Sequence, residues 1–248
     1  MNPGQGLVSI LLMSLLPGLG NALGVALAEW RQPGPKLTGA ALHAAAGLAT
    51  AVAAIELIPR AQDRIESWLI AIGVVVGAMV ALGIARVTRK VSDKFSRGEQ
   101  RTAIWGVYMV VGVDLLSDGL MTGSGGAVSA SLGLLIALSQ VVANMPGGFA
   151  VTANFRKAAV PRSQRLWMAA AYPIVPLVAA AAGYLFLREA SEQWTGFVLA
   201  ILAGLLLVAT IEDLVPEADE PGAPRKISSP AFAGGFVLLL LLSAYVGA

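Results

Sequence analysis

The segment VDLLSDGLMTG at residues 113–123 places two carboxylates inside an otherwise apolar run. A helix turns about 100° per residue, so Asp114 and Asp118 share one face and lie about 6 Å apart along the axis. The same face carries Ser117, a further candidate ligand, and Met121, a candidate for the ion pathway. A carboxylate at the bilayer centre costs on the order of 2.5–3.5 kcal/mol. Two on one face must therefore point into the protein or a water-filled cavity, where they could bind a cation.

A second polar surface follows in SQVVANMPGGFAVTANF, residues 139–155. Gln140 and Asn144 are four residues apart and therefore aligned on a helix. Pro146 lacks a backbone donor and displaces the carbonyl of Val142, and the glycine pair after it permits local unwinding. We therefore expect a broken helix whose amides and free carbonyl face the aspartates and complete a cation site. A proline kink with its polar residues bonded to neighbouring helices is the alternative.

These residues must be positioned by membrane helices. Of the 248 residues 56% are hydrophobic and 13% charged, with a mean hydropathy of +0.74, which no ordinary soluble domain shows. A bilayer needs roughly 20 apolar helical residues per crossing. Eight such runs lie near residues 5–28, 40–59, 67–87, 104–124, 129–154, 165–187, 194–216 and 230–247. The predicted fold class is an all-α membrane protein with eight transmembrane helices in a single domain.

The basic residues predict the orientation, because Lys and Arg accumulate on the cytoplasmic side. Alternate gaps between runs hold 14 of the 17 basic residues, against Arg60, Arg64 and Arg188 on the other side. The fourteen are Arg31, Lys36, Arg86, Arg89, Lys90, Lys94, Arg97, Arg101, Arg156, Lys157, Arg162, Arg165, Arg225 and Lys226. Both termini should lie outside. This role in topology accounts for the cluster at 86–101 better than nucleic-acid binding, and no nucleic-acid partner is expected.

An internal repeat links the second and seventh runs. IELIPRA at 55–61 matches IEDLVPEA at 211–218 if one residue is inserted in the latter. The two runs cross in opposite directions, which predicts an inverted repeat of helices 1–3 and 6–8, as in many secondary transporters. Glu212 and Asp213 lie deeper than ordinary helix-end residues and are candidates for an ion pathway. His43, the one histidine, is either a transient exit ligand or an interfacial residue.

Three pairs of glycines at GxxxG spacing permit close helix contact: Gly20 with Gly24, Gly73 with Gly77, and Gly119 with Gly123. The third run has no polar residue between Ile70 and Ala85. If one of the three glycine pairs joins two copies of the chain, the pair in the third run, Gly73 with Gly77, is the natural candidate.

Together, VDLLSDG, ANMPGG, EDLVPEA and the second-run texture HAAAGLATAVAAIELIP resemble the ZIP (Zrt-/Irt-like) family of divalent-metal transporters. That family carries motifs of the type H-N-x-P-E-G, or H-x-x-x-D-G, in its fourth and fifth helices. The resemblance implies a metal site at Asp114 and Asp118, which match the His and acidic positions of the fourth helix, and at Asn144. Ala143 and Gly147 replace the His and Glu of the fifth helix, so the motifs are degenerate.

The resemblance further implies an elevator mechanism in which helices 1, 4, 5 and 6 carry the substrate past a scaffold of helices 2, 3, 7 and 8, usually in a homodimer. The substrate would be a divalent metal, with Mn, Fe, Co, Zn and Cd all open, and no cofactor is expected. The chain would lie in the lipid of a bacterial inner membrane. A proton-coupled carrier of another solute and a non-transporting sensor are the rival functions. No enzyme motif such as H-E-x-x-H or G-x-S-x-G is present.

The orientation is testable because the chain has no cysteine of its own. Single Ser96→Cys and Ser163→Cys variants should be shielded from an impermeant thiol reagent in intact cells, whereas Ser191→Cys should react. Permeabilised cells, in which all three should react, are the control. Labelling of Ser96→Cys from outside would reverse the orientation.

Overall fold

The computed structural model describes residues 3–30, 34–96, 100–157, 159–219 and 224–246. Within these ranges the side chains at 3–5, 35, 88, 91–96, 100–110, 146, 150, 153, 154, 157, 213, 217 and 246 lie outside the description. The described backbone is helical throughout apart from short connections. The all-α prediction is confirmed for this part of the chain.

Within the described ranges, eight helices, α1 to α8, follow one another in chain order. They are α1 (Pro3–Trp30), α2 (Pro35–Ala51, continued by a π turn at Val52–Leu57 and by Ile58–Gln62), α3 (Ser67–Ser96), α4 (Gln100–Val128), α5 (Ala130–Lys157), α6 (Arg162–Ala171 and Ile174–Leu187), α7 (Glu192–Ala209, continued by a π turn at Thr210–Leu214 and by Val215–Asp219) and α8 (Arg225–Val246).

Seven of these helices are long and apolar enough to cross a membrane among the described residues. The remaining helix, α4, has 29 residues, a length sufficient to span. The side chains at 101–110 are outside the description. The chain is therefore a polytopic membrane protein, and the eighth span stays a prediction.

Glycines hold the helices in four closely packed pairs. At each of these glycines a Cβ atom would overlap a backbone carbonyl oxygen of the neighbouring helix, so only glycine fits. The glycines are Gly20, Gly24 and Gly148 between α1 and α5; Gly119, Gly123 and Gly183 between α4 and α6; Gly47 and Gly235 between α2 and α8; and Gly77 and Gly204 between α3 and α7. The packing therefore groups α1 with α5 and α4 with α6, the helices expected in the transport bundle.

The contacts between α2 and α8 repeat those between α3 and α7. Gly47 meets the carbonyl of Phe232 as Gly204 meets that of Val74, and Gly235 meets Ala44 as Gly77 meets Ile201. Every residue lies 157 or 158 positions from its counterpart. These contacts support the predicted repeat, while the opposite membrane orientation of its two copies stays a prediction.

The predicted alignment of the two copies needs correction. The π turns end at Leu57 and Leu214, and each is followed two residues later by a proline, Pro59 or Pro216. In that register no residue is inserted, and Glu56 corresponds to Asp213 rather than to Glu212. The sequence alignment paired Glu56 with Glu212 because the two residues are identical. The structural alignment instead superimposes the π turns and the prolines that follow them.

The two glycines of the third run pack against another helix of the same chain. A Cβ at Gly73 would meet the side chain of Ala200, and one at Gly77 the backbone of Ile201, both on α7. This pair therefore cannot also join two chains, because α7 already covers it. The homodimer stays a prediction, and these two glycines are no longer candidates for its interface.

Ion pairs tie the helix ends that carry most basic residues, here called the basic end. Arg165 of α6 lies 2.6 Å from Glu29 of α1. Arg89 of α3 lies 2.6 Å from Glu212 in the π turn of α7. The Arg89–Glu212 pair joins α3 to α7, which the glycines already hold together. The Arg165–Glu29 pair joins α6 to α1, which both belong to the predicted transport bundle. Both ion pairs therefore lie within a helix group and do not connect the two groups.

At the other end one cluster connects the groups. Arg60 donates to the buried Glu56 at 2.8 Å, and Ser243 of α8 donates to the same carboxylate. Arg60 also donates to Ser129, between α4 and α5, at 3.3 Å. The contact joins α2 to the connection between the two helices that carry the polar residues.

Two adjacent glycines of α8 test the packing. Gly235→Ala should lower the melting temperature of the purified protein, because its Cβ overlaps the backbone of Ala44, and overpacking costs about 1–3 kcal/mol. Gly234→Ala is the matched control: a Cβ there meets nothing within 4 Å, and alanine favours a helix by about 1 kcal/mol. Equal destabilisation by both variants would contradict the assigned contact.

Candidate functional site

Asp118 of α4 and Asn144 of α5 lie together in the interior. Both are almost completely buried, with 6% and 3% of their surface exposed. The amide nitrogen Nδ2 of Asn144 donates to Asp118 Oδ2 at 2.6 Å and approaches the carbonyl of Pro17 on α1 at 3.4 Å. Three helices thus meet at this carboxylate and amide.

Gln140 and Thr122 extend the polar contact by one helical turn. Gln140 Nε2 approaches the backbone carbonyl of Asp118 at 3.4 Å, and the Thr122 hydroxyl donates to Gln140 Oε1 at 3.0 Å. Both side chains are buried. Gln140 therefore joins α4 to α5 through its own hydrogen bonds, and it supports the Asp118–Asn144 pair instead of facing it.

The face that carries Asp118 is open on one side only. Asp114, one turn nearer the basic end, is exposed, whereas Met121, one turn away from it, is 4% exposed. Met121 packs in the apolar core formed with α2 and α5. Because all three point the same way, this difference means that the helix face opens at Asp114 and is covered at Met121. Ser117, beside them, is half-buried.

The predicted break in the fifth helix is wrong. α5 is helical without interruption from Ala130 to Lys157, through Pro146 and the two glycines. A proline removes one backbone hydrogen bond, and the flanking turns retain theirs. Gly148 does not unwind the helix but lets it approach the backbone of Asn21.

Of the pathway candidates besides Met121, His43 and Glu212 have partners other than Asp118. His43 is buried in α2; its Nδ1 is 2.8 Å from the Gly39 carbonyl, and its Nε2 is 3.3 Å from Asp219 Oδ1. Glu212 is paired with Arg89. The side chain of Asp213 is outside the described residues. His43 is therefore an interior residue near the basic end, and the role of all three as pathway residues stays a prediction.

Asp118 has no cationic partner among the described ion pairs, which involve other carboxylates. Over the same described ranges, no three His, Cys, Asp or Glu side chains cluster tightly enough to hold a metal. An ion at Asp118 would therefore need neutral oxygen ligands as well as carboxylates. The amide of Asn144 is one such group within reach.

Two residues near this site were missed in the sequence. Thr122 lies four residues after Asp118 on the same face, a spacing that could have revealed it. Asn21 of α1 is fully buried, and within the described part of the chain neither Oδ1 nor Nδ2 has a hydrogen-bond partner. Its signal was an amide between the glycines of GNALG, which were considered only for packing.

Comparison with known proteins gives relatives over nearly the whole chain, although no family model matches it. Zinc transporter ZupT of Corynebacterium aurimucosum is 27% identical over 94% of this chain and 95% of its own. Zinc transporter ZupT of Chlorobium chlorochromatii is 24% identical over 94% of both chains. A putative zinc transporter of Arabidopsis thaliana is 26% identical over 79% of this chain but only 32% of its own.

The fold and the site define a polytopic helical membrane protein with a carboxylate and an amide buried between packed helices. Similarity along the full length of two bacterial relatives makes the assignment narrower. These relatives confirm the resemblance of the chain to the ZIP family of divalent-metal transporters.

Proposed function

We propose that this chain moves a divalent transition-metal ion across the bacterial inner membrane toward the cytoplasm, at a site formed by α4 and α5. The observation that carries the proposal is the buried Asp118 carboxylate, which has an amide partner at 2.6 Å and no cation among the described ion pairs. Such a charge is costly inside a membrane unless an ion neutralises it. The relatives named zinc transporters support the same class of substrate.

The exposure of the site favours a state open to the cytoplasm. Asp114 is exposed on the side of the basic end, which the charge distribution assigns to the cytoplasm. On the opposite side Met121 is buried, and Arg60 holds Ser129. An ion could therefore leave past Asp114 while the outer side is closed.

The transport step follows from how the helices are grouped. Glycine contacts hold α1 against α5 and α4 against α6, and the repeated contacts hold α2 against α8 and α3 against α7. In the proposed elevator step, the first two pairs move as a bundle relative to the last two. The Arg60–Ser129 hydrogen bond crosses between these groups and would break as the outer side opens.

Two observations bear differently on the metal. The names of the three relatives, all called zinc transporters, favour zinc. The oxygen donors at Asp114, Asp118 and Asn144 suit harder ions, since zinc prefers imidazole and thiolate more than Mn or Fe(II) does. The substrate proposed is therefore the class, and a thermal scan with Mn, Fe, Co, Ni, Zn, Cd and Mg identifies the ion by its stabilisation of the folded protein.

Removing the charges should abolish binding without unfolding the chain. Asp114→Asn and Asp118→Asn keep the shape of each side chain, so we expect no metal-dependent rise in melting temperature and no isotope uptake into vesicles. The metal-free Asp118→Asn protein should be as stable as wild type or more stable, because a buried charge has been removed, and metal-free Asp114→Asn should match wild type, because Asp114 is exposed. In wild type, binding should weaken as the medium is acidified, since protons compete for the carboxylates. Wild-type binding and uptake in both variants would remove the site.

Family-like ligands should change the ranking of metals. The double variant Ala143→His, Gly147→Glu adds an imidazole and a carboxylate beside Asn144, so we expect a shift toward zinc or cadmium. A Cβ at Gly147 would stand 3.2 Å from Asn21 Oδ1 and 3.5 Å from Val111, so the second change requires the Asn21 side chain to shift by a few tenths of an ångström. A folded double variant that keeps the wild-type ranking would mean that this face of α5 does not meet the ion.

A further inference from the structure

Asn21 differs from the other buried amides of the site. Asn144 and Gln140 both donate hydrogen bonds. Asn21 has none at either side-chain atom within the described part of the chain, although its exposure is 0%. An unpaired amide in an apolar interior costs several kcal/mol on the scale of transfer to hydrocarbon. This cost is removed if the amide binds something that the protein takes up.

The amide lies on the open side of the Asp118–Asn144 pair. The backbone of Asn21 touches Gly148, and its Oδ1 is 3.2 Å from the point where a Cβ on Gly147 would stand. Val111 of α4 borders the same point at 3.5 Å and is one turn from Asp114. Asn21 is thus one turn nearer the basic end than Pro17, which Asn144 approaches. That is the level at which the face of α4 opens.

The Asn21 amide lies close to α5 at Gly147, which has no side chain: a Cβ there would stand only 3.2 Å from Oδ1. On α5 this position follows Asn144 by three residues, so it lies on the same helix face. A side chain here would meet Asn21 Oδ1 first. The amide therefore occupies the room that a larger residue at 147 would fill, on the face of α5 that carries Asn144.

We propose that Asn21 supplies its amide oxygen as a ligand from α1 to the divalent ion, beside the face of α5 that carries Asn144 and Gly147. The inference rests on the proposed function and deepens it by adding a third helix to the site. A neutral oxygen is accepted by divalent cations and adds no charge to a site that already has two aspartates. Ion binding would then satisfy the amide and draw α1, α4 and α5 together.

The test uses the purified full-length protein with the metal that stabilises wild type most. Asn21→Ala and Asn21→Leu should weaken the apparent affinity about tenfold or more, the loss typical when a group that supports a metal is removed. Their metal-free melting temperatures should equal or exceed that of wild type, because an unpaired buried amide is gone. A residue that only fills space would give the opposite pattern: a lower metal-free melting temperature and unchanged affinity.

Two further variants keep the test sharp if either substitution folds poorly. Asn21→Asp retains the size and an oxygen at the same point, so it should bind at least as tightly as wild type. Gly147→Glu added to Asn21→Ala brings a carboxylate to the same space and should restore affinity to within a few-fold of wild type. The matched control is Ser14→Ala, on the same face of α1 two turns away, whose hydroxyl donates to Leu11 at 2.8 Å. It should leave affinity unchanged.

The outcomes separate the two proposals. If no divalent metal stabilises wild type, the proposed function fails and this inference fails with it. If wild type binds a metal and Asn21→Ala, Asn21→Leu and Asn21→Asp all bind with wild-type affinity, the ligand role of Asn21 is overturned while the proposed function stands. Loss of affinity in Asn21→Ala with recovery in the Gly147→Glu background supports it.

Discussion

Contact between backbones at glycine is the constraint on which the arrangement depends. Helices in a bilayer gain no hydrophobic energy by associating, so they must pack closely. Gly119 follows Asp118 directly and holds α4 against Pro176 of α6, and Gly148 holds α5 against Asn21 of α1. A methyl group at either glycine would move its helix outward. The polar residues on α4 and α5 could then no longer meet at hydrogen-bond distance.

This packing brings polar side chains together, and some of them form hydrogen bonds while others do not. Thr122, Gln140, Asn144 and Asp118 form a connected set of contacts between α4 and α5. In the proposed site these bonds would fix the aspartate in place before an ion arrives, which lowers the cost of ordering on binding. The carboxylate has an amide partner but no described cation, and one turn away Asn21 has no partner among the described residues. On this proposal the bonded residues would provide rigidity, and the remaining oxygen atoms would provide capacity to bind.

Much of the fold was predictable because composition and run length report directly on the bilayer. The helix positions and the pairing of Asp118 with Asn144 follow from hydropathy and from i, i+4 spacing. Sequence could not show that α5 stays helical through Pro146, because the flanking hydrogen bonds decide that. Nor could it show that Asp114 is exposed while Asp118 is buried, since this depends on which helices pack against each turn of α4. Asn21 was overlooked because a single amide in an apolar helix has no periodicity to mark it.

The two π turns bear on how relatives of this chain can differ in length. A π turn contains one residue more than an α turn over a similar rise. A helix can therefore shorten by one residue there while the segments before and after it still face their neighbours. Elsewhere in α2 or α7 the same change would rotate a glycine away from the backbone it touches. Gaps between related sequences in these helices should accordingly fall within 52–57 and 210–214, and the family's length variation should be concentrated at these turns and in the loops.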